Sequence, residues 1–413
     1  GYSNTKIINI KKAPPIVYIF AFNDMGQLGL GHVDTPQSTP QHITYFTNNG
    51  ITITQIACGQ SHTMFLGSDG KVYGCGYNHY GQLGLGHKDT PQTTIKEITF
   101  FNEIGITITQ IECGSYYTMF LGSDDKVYGC GYNGHGELGL SFTGNGKETI
   151  QEITFFNDKN IKRIACGSYH TMFLANDGSI YGCGNNSVGQ LGLGNVVTPK
   201  STPQEITYFN DKTITQIVCG DNHTMFLGSD DKVYGCGYNN NGQLGLGDQT
   251  NRETPVEITF FSDKNIKQIA CGDNHTMFLA SDGKVYGCGR NDYGQLGLGH
   301  TDDPQSSTKL ITFFNEIGIT ITQIECGSYH TMFLGSDDKV YGCGYNQYGQ
   351  LGLGNVETPK STIQEISYFN DKTITQIACG GYFTIVYTSV PIWNIPNKIK
   401  LYETTFDLEA FNY

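Results

Sequence analysis

The chain has 413 residues, among them 54 Gly, 26 Tyr and 23 Phe, and carries 25 Lys+Arg against 38 Asp+Glu for a formal net charge of -13. Gly at that level without a collagen period means a Gly-demanding motif used many times, and the aromatic residues supply the burial that disordered chains lack. The acidic balance, with no basic run beyond the Lys11–Lys12 pair, disfavours direct nucleic-acid binding, and no stretch approaches the 18 apolar residues of a membrane span.

In chain order, residues 1–16 read as an N-terminal arm. Gly1-Tyr2-Ser3-Asn4-Thr5 would fit a myristoylation signal if a Met preceded Gly1; the plain reading is an ordinary or trimmed N-terminus, and no signal-peptide pattern is expected. Val17-Tyr18-Ile19-Phe20 then reads as a strand with no strand of its own repeat before it. From Gly26 onward a motif recurs. Gly-Gln-Leu-Gly-Leu-Gly begins at Gly26, Gly81, Gly189, Gly242, Gly294 and Gly349, and a variant copy, Gly136-Glu137-Leu138-Gly139-Leu140-Ser141, fills the remaining place. The intervals are 55, 55, 53, 53, 52 and 55 residues, which is the spacing of a repeat architecture.

Each unit has the same internal order. Ile53 to Gly59 alternates apolar and polar residues as a strand does, and His62-Thr63-Met64-Phe65-Leu66 is a second strand. Gly67-Ser68-Asp69-Gly70 is a tight turn, Lys71 to Gly76 a third strand, and Glu97-Ile98-Thr99-Phe100-Phe101 is expected to supply a fourth. Four short strands per unit match a propeller blade, whose two faces are buried only by neighbours on either side. The last repeat ends with Ile374–Gly380 and Thr384–Tyr387 and lacks a third strand, which is what the N-terminus holds in excess. The predicted fold is therefore all-β: a seven-bladed β-propeller over residues 17–387, closed by the N-terminal strand pairing with the C-terminal strands. The blade cores are about 51–76, 106–131, 159–184, 212–237, 264–289, 319–344, and 374–387 plus 17–22. Residues 388–413 follow as a C-terminal aromatic tail.

Ile-Ala-Cys-Gly-x-x-His-Thr-Met-x-Leu at Ile56–Leu66 and Gly-x-Asn-x-x-Gly-Gln-Leu-Gly-Leu-Gly at Gly76–Gly86 resemble the repeat of the regulator of chromosome condensation family. The resemblance covers residues 17–387 and implies a seven-bladed propeller. It also raises nucleotide exchange on the small GTPase Ran and docking on nucleosomes. In the family those activities use a wedge-like insertion and basic features; here the even intervals leave no room for a substantial insertion in any internal blade, and the basic tail is absent. Light sensing, carried in the family by clustered Trp, is excluded because Trp393 is the sole Trp.

Catalytic and metal chemistry find little support. Seven Cys precede the second strands (Cys58, Cys113, Cys166, Cys219, Cys271, Cys326, Cys379) and six lie in the third (Cys75, Cys130, Cys183, Cys236, Cys288, Cys343). Without a Cys-x-x-Cys motif and with an odd total, they read as reduced, packed thiols of an intracellular protein. His62, His170, His223, His275 and His330 share one phase, with Tyr117 and Phe383 in the other two blades. A metal ring is disfavoured by those replacements, and a structural His-Thr pair bonding neighbouring backbone within each blade is expected instead. The acidic turns Asp124-Asp125, Asp230-Asp231 and Asp337-Asp338 point their side chains apart and read as solvated turn chemistry. No phosphate loop or nucleophile elbow is present, so no enzyme activity, cofactor or metal is expected.

Function is expected in the variable loops, since loops on a rigid scaffold carry recognition. The candidates are His79, Tyr80, His87, Lys88, His135, Phe142, Arg252, Arg290, Tyr293 and Tyr348, together with a docking tail of Trp393, Tyr402, Phe406 and Phe411. The segments 102–133 and 315–346 differ only at Tyr117 versus His330, and such near-identical blades present quasi-equivalent surfaces. The leading expectation is a non-enzymatic protein-interaction scaffold with a protein partner, cytoplasmic or nuclear. A self-assembling structural protein (of a virion or a nucleic-acid sheath), a homo-oligomer joined through the tail, and a small-GTPase exchange factor are the alternatives.

Overall fold

A computed structural model describes residues 15–389. Those residues form seven four-stranded antiparallel sheets arranged as blades around a central channel. Blade 1 comprises Ile53–Cys58, His62–Gly67, Val72–Gly76 and Gln92–Ile98, running from the channel outward. Blades 2 to 6 begin at Ile108, Ile161, Ile214, Ile266 and Ile321.

Blade 7 is made from both ends of the chain. Thr373–Cys379 and Phe383–Ser389 supply its inner strands, and Ile16–Ala21 its third, with Val17 opposite Tyr387 and Phe20 opposite Thr384. The N-terminal region also gives the outer strand, Gln37–His42, so it contributes half of the closing blade. An edge strand at each end of an open array would expose unpaired backbone, and pairing the two ends removes that exposure.

The core lies between blades. Met64, Leu66 and Val72 of blade 1 pack on Ile108, Ile111, Phe120 and Tyr128 of blade 2, and the same cluster recurs at every seam. Each buried Phe or Ile contributes roughly 1.5–3 kcal/mol, so the cohesion of the ring resides in the seams. Close packing sets the demand for Gly. A Cβ on Gly81, whose φ is +81°, would lie 2.2 Å from Glu148 Cα in the next blade.

One expectation about the blade is corrected. The fourth strand is Gln92–Ile98, and Phe100–Glu103 is a short helical turn. The turn points Phe101 inward, where its ring lies 5.1 Å from that of Phe120 and 5.5 Å from that of Tyr128. Trp393, Tyr402, Phe406 and Phe411 lie outside the described residues, as does the segment around Gly1. No helix among the described residues is long and apolar enough to cross a membrane.

Candidate protein-binding face

Two loops of every blade reach the same end of the channel: the Cys-Gly-x-x link between the first and second strands, and the longer link between the third and fourth. The longer link is held from inside. Asn78 Oδ1 accepts from the Leu83 N–H (3.1 Å), its Nδ2 donates to His87 O (2.8 Å), and Gln82 Oε1 accepts from the Tyr80 N–H (3.1 Å). Asn23, Asn133, Asn186, Asn239, Asn291 and Asn346 make the same pair of bonds, all fully buried. The repeated Gly-x-Asn-x-x-Gly-Gln-Leu motif is thus a frame, and the two residues between Asn and Gly are what it presents.

Beneath the loops runs a belt of polar contacts between blades. His62 Nε2 is 3.0 Å from Thr118 Oγ1 of the next blade, and Thr118 donates to Gln82 O (2.7 Å). Because the hydroxyl proton is spent on that carbonyl, the oxygen accepts, and the imidazole must carry its proton on Nε2. The pairs His170–Thr224, His223–Thr276, His275–Thr331 and His330–Thr384 repeat this geometry. Tyr117 takes the place of His in blade 2: its hydroxyl donates to His170 O (2.6 Å) and lies 3.0 Å from Thr171 Oγ1, whose own proton goes to Glu137 O (2.7 Å). The expected His-Thr pairing within a blade is therefore corrected: the hydroxyl belongs to the neighbouring blade. Burial lowers each of these five histidines to about 3, which keeps them neutral. The adjacent Gly is obligatory, since a Cβ at Gly59 would sit 2.2 Å from the His62 ring.

The thirteen Cys divide by position. Cys75 and its five equivalents are buried in the blades, and Cys75 Sγ donates to Gln27 O at 3.3 Å. Cys58 and its six equivalents line the channel rather than the core. Burial by the surrounding strands still raises their thiols well above the usual range, which disfavours thiolate chemistry. Among the described residues no three His, Cys, Asp or Glu converge as metal ligands.

At the loop end the channel opens through a cavity of ≈ 140 Å³ bordered by Gln60, Ser115, Ser168, Asp221, Asp273 and Ser328. Burial, and next the neighbouring Asp221, push Asp273 up to about 7, and burial also raises Asp221. Two aromatic crescents flank this mouth. In the first, Tyr80 meets Tyr116 at 5.6 Å and Tyr132 at 5.0 Å, His79 stacks on Tyr77 at 6.0 Å, and His135 meets Tyr169 at 5.5 Å. In the second, Tyr293 meets Tyr345 at 4.8 Å, and Tyr348 meets Phe22 at 4.8 Å and Tyr382 at 5.8 Å. Arg290 grips Asp292 through Nε (2.8 Å), and its guanidinium lies 5.1 Å from the Tyr329 ring centre.

Six of the ten loop residues singled out in the sequence meet in these crescents: His79, Tyr80, His135, Arg290, Tyr293 and Tyr348. The other four sit on the outer loops. His87 pairs with Asp89, Lys88 donates to Asn145 O, Arg252 pairs with Asp248, and Phe142, 45% exposed, lies under Lys147. Sequence reasoning missed Tyr116, Tyr169, Tyr329 and Tyr382, which occupy the second variable place of Cys-Gly-x-x-His/Tyr/Phe. The available signal was the variability of that place within a motif otherwise constant.

The sequence model of the RCC1-like domain matches residues 16–387. The Ultraviolet-B receptor UVR8 of Arabidopsis thaliana is 34% identical over 337 residues, covering 81% of this chain and 74% of the receptor. The human probable E3 ubiquitin-protein ligase HERC4 is 32% identical over 368 residues, covering 87% of this chain but 34% of the ligase, so the chain spans about a third of that relative. Among solved structures, Prp20p of Saccharomyces cerevisiae, described with its binding to Gsp1p and histones, superposes with a TM-score of 0.81 at 23% identity, over 91% of each chain. Human WBSCR16 superposes with a TM-score of 0.80 at 22% identity, over 92% of this chain and 100% of that one. At those identities the two likenesses extend to the fold.

Proposed function

The chain belongs to the RCC1-like domain family, and on that premise we propose that it is a non-catalytic interaction scaffold that binds a protein partner through the loop end of its channel. The observation that carries this reading is the pair of aromatic crescents around an acidic mouth, set on loops whose backbone is fixed by buried Asn and Gln. Tyr combines a large apolar ring with a hydroxyl and loses little freedom on binding, which is why it anchors interfaces. Here the rings are held in place before a partner arrives, so less ordering cost falls on association. Arg290, fixed by Asp292 and lying over Tyr293 and Tyr329, adds a second kind of anchor favoured at such surfaces.

The outer strands and helical turns of the opposite end carry Lys–Glu pairs such as Lys71–Glu97 and Lys126–Glu152, an ordinary solvated surface. A photo-crosslinking residue placed at Tyr348, and another at Phe260 on that opposite end, test the assignment in extracts of the native source. Partner adducts are expected at position 348 and absent at 260, and the reverse pattern refutes the reading. Exchange activity, the family's other prospect, is tested by nucleotide release from a panel of small GTPases, where no acceleration is expected.

A further inference from the structure

A second repeated device joins the blades lower in the channel; it is missing where blade 7 meets blade 1, and between blades 3 and 4 the residue that would make it is no longer an amide. Gln55 reaches across to blade 2, where its Nε2 donates to Ile111 O (2.8 Å) and its Oε1 accepts from the Ile111 N–H (2.9 Å). Gln110 holds Ile164 of blade 3, Gln268 holds Ile324 of blade 6, and Gln323 holds Ile377 of blade 7 in the same two-bonded way. Gln216 accepts from the Ile269 N–H at 3.2 Å. Between blades 3 and 4 the corresponding residue is Arg163. A guanidinium has donors only, so it cannot accept from the Ile217 N–H, and no side chain among the described residues bonds that group.

The packing differs at this seam as well. Ile56, Ile111, Ile164, Ile269, Ile324 and Ile377 are buried, Ile56 even though Gln376 makes no such clamp, whereas Ile217 is only partly buried. A cavity of ≈ 450 Å³ opens there, walled by Met172, Ile217 and Leu227, with Arg163 and Lys267 at its polar side and Glu112 toward the channel. Two cations against the one carboxylate of Glu112, which burial raises to about 7, stand together with an apolar wall and a backbone N–H that no side chain among the described residues bonds.

We propose that this seam is a binding site for a small carboxylate with an apolar stem, the carboxylate bridging the Arg163 guanidinium and the Ile217 N–H while the stem lies on Met172, Ile217 and Leu227. The ligand oxygen would then occupy the role that the Gln Oε1 plays at the clamped seams, and the guanidinium would supply the charge-assisted bonds. The volume lies within the range of small-molecule sites, and the mixture of apolar wall with few fixed polar groups is their usual character. The same chemistry is offered by a free short-chain acid and by the C-terminal carboxylate of a peptide ending in Leu. The site is at the other end of the channel from the proposed partner face and stands or falls apart from it.

Titration of the full chain with hexanoate, followed through the Ile217 amide resonance, tests the assignment. Saturable binding with a Kd on the order of 1 mM is expected for a ligand of about eight non-hydrogen atoms. Hexanol and inorganic phosphate should each bind at least tenfold more weakly. Arg163→Ala, which removes the charge and leaves the space, should weaken hexanoate at least tenfold. Arg163→Gln should abolish binding and raise Tm, since it restores the clamp. A pentapeptide with a free C-terminal Leu, set beside its amidated form, assigns the source: tighter binding than hexanoate by the free acid alone points to a protein tail, and weaker binding to a free acid. No saturable shift with the wild-type chain, or equal hexanoate binding by wild type and Arg163→Ala, overturns the proposal.

Discussion

His62 and Thr118 belong to different blades, yet the imidazole Nε2 of one lies 3.0 Å from the hydroxyl of the other, and that hydroxyl is already committed to Gln82 O. Repeated with changing partners at five further seams, with Tyr117 in place of His at one of them and Phe383 leaving the seam between blades 7 and 1 without it, this relationship makes the seams polar at the loop end. It also ties the aromatic crescents to the frame, because the Gly-Gln-Leu segment that receives the threonine bond is the one that presents the aromatic residues. Buried satisfied bonds of this kind each contribute about 1 kcal/mol, but leaving one member alone costs more.

The neutral histidines make the ring acid-sensitive. Each is held near 3 in the fold, while an unfolded His titrates near 6.5, so the unfolded chain binds more protons between those values. Stability from this source is complete above about 6.5 and is lost as pH falls toward 3. His223→Phe, copying the residue that blade 7 uses at Phe383, should reduce the proton uptake on unfolding by about one at pH 5. Urea unfolding midpoints at pH 7.5 and 5 measure it; an unchanged pH slope would show that His223 is already charged in the fold.

Glu137 has the opposite dependence. It stands where other blades have Gln, its Oε2 accepts from the His135 N–H (2.9 Å), and burial pushes it up to about 8. The folded state therefore prefers the protonated acid, an isostere of the amide. Its contribution is fully present below about 4.5 and disappears as pH rises through 8. Glu137→Gln should leave stability nearly unchanged at pH 4.5 and raise it by several kcal/mol, on the order of 1.4 per pK unit, at pH 9. Equal gains at both pH values would contradict a neutral Glu137.

The Gln clamps predict a local effect. Gln268→Ala removes both bonds to Ile324 and leaves a buried N–H and C=O without partners, a loss of roughly 1–3 kcal/mol. Hydrogen exchange of the Ile324 amide should accelerate markedly more than that of Met332 on the next strand. Uniform acceleration across blade 6 would mean that the clamp acts on global stability alone.

The ring and its closure were legible in the sequence because the repeat is nearly exact and the two ends complement each other, Val17–Phe20 filling the strand missing after Tyr387. The outer strand was not. Ile98-Thr99-Phe100-Phe101 reads as an apolar strand, but the two Phe are apolar because a helical turn drives Phe101 into the seam, while Gln92–Glu97 is polar because it is an edge strand with one face in solvent. The His-Thr partnership was half legible: composition supplied the pair, but nothing local says that a bond spans 56 residues to the next blade. The aromatic face was visible as loop variability at His79-Tyr80 and Tyr348. Its inner members, Tyr116, Tyr169, Tyr329 and Tyr382, were hidden inside a motif whose constant residues drew the attention.

The central claim is that the aromatic crescents bind a protein partner, and quantitative affinity capture tests it most directly. The wild-type chain and a Tyr80→Ala/Tyr348→Ala variant, matched by Tm, are used as baits in extracts of the native source and compared by mass spectrometry. Each half-buried Tyr anchor removed from an interface centre costs about 2 kcal/mol or more, so specific partners should fall at least tenfold with the double variant. Undiminished capture of the same partners by a folded double variant would contradict the account.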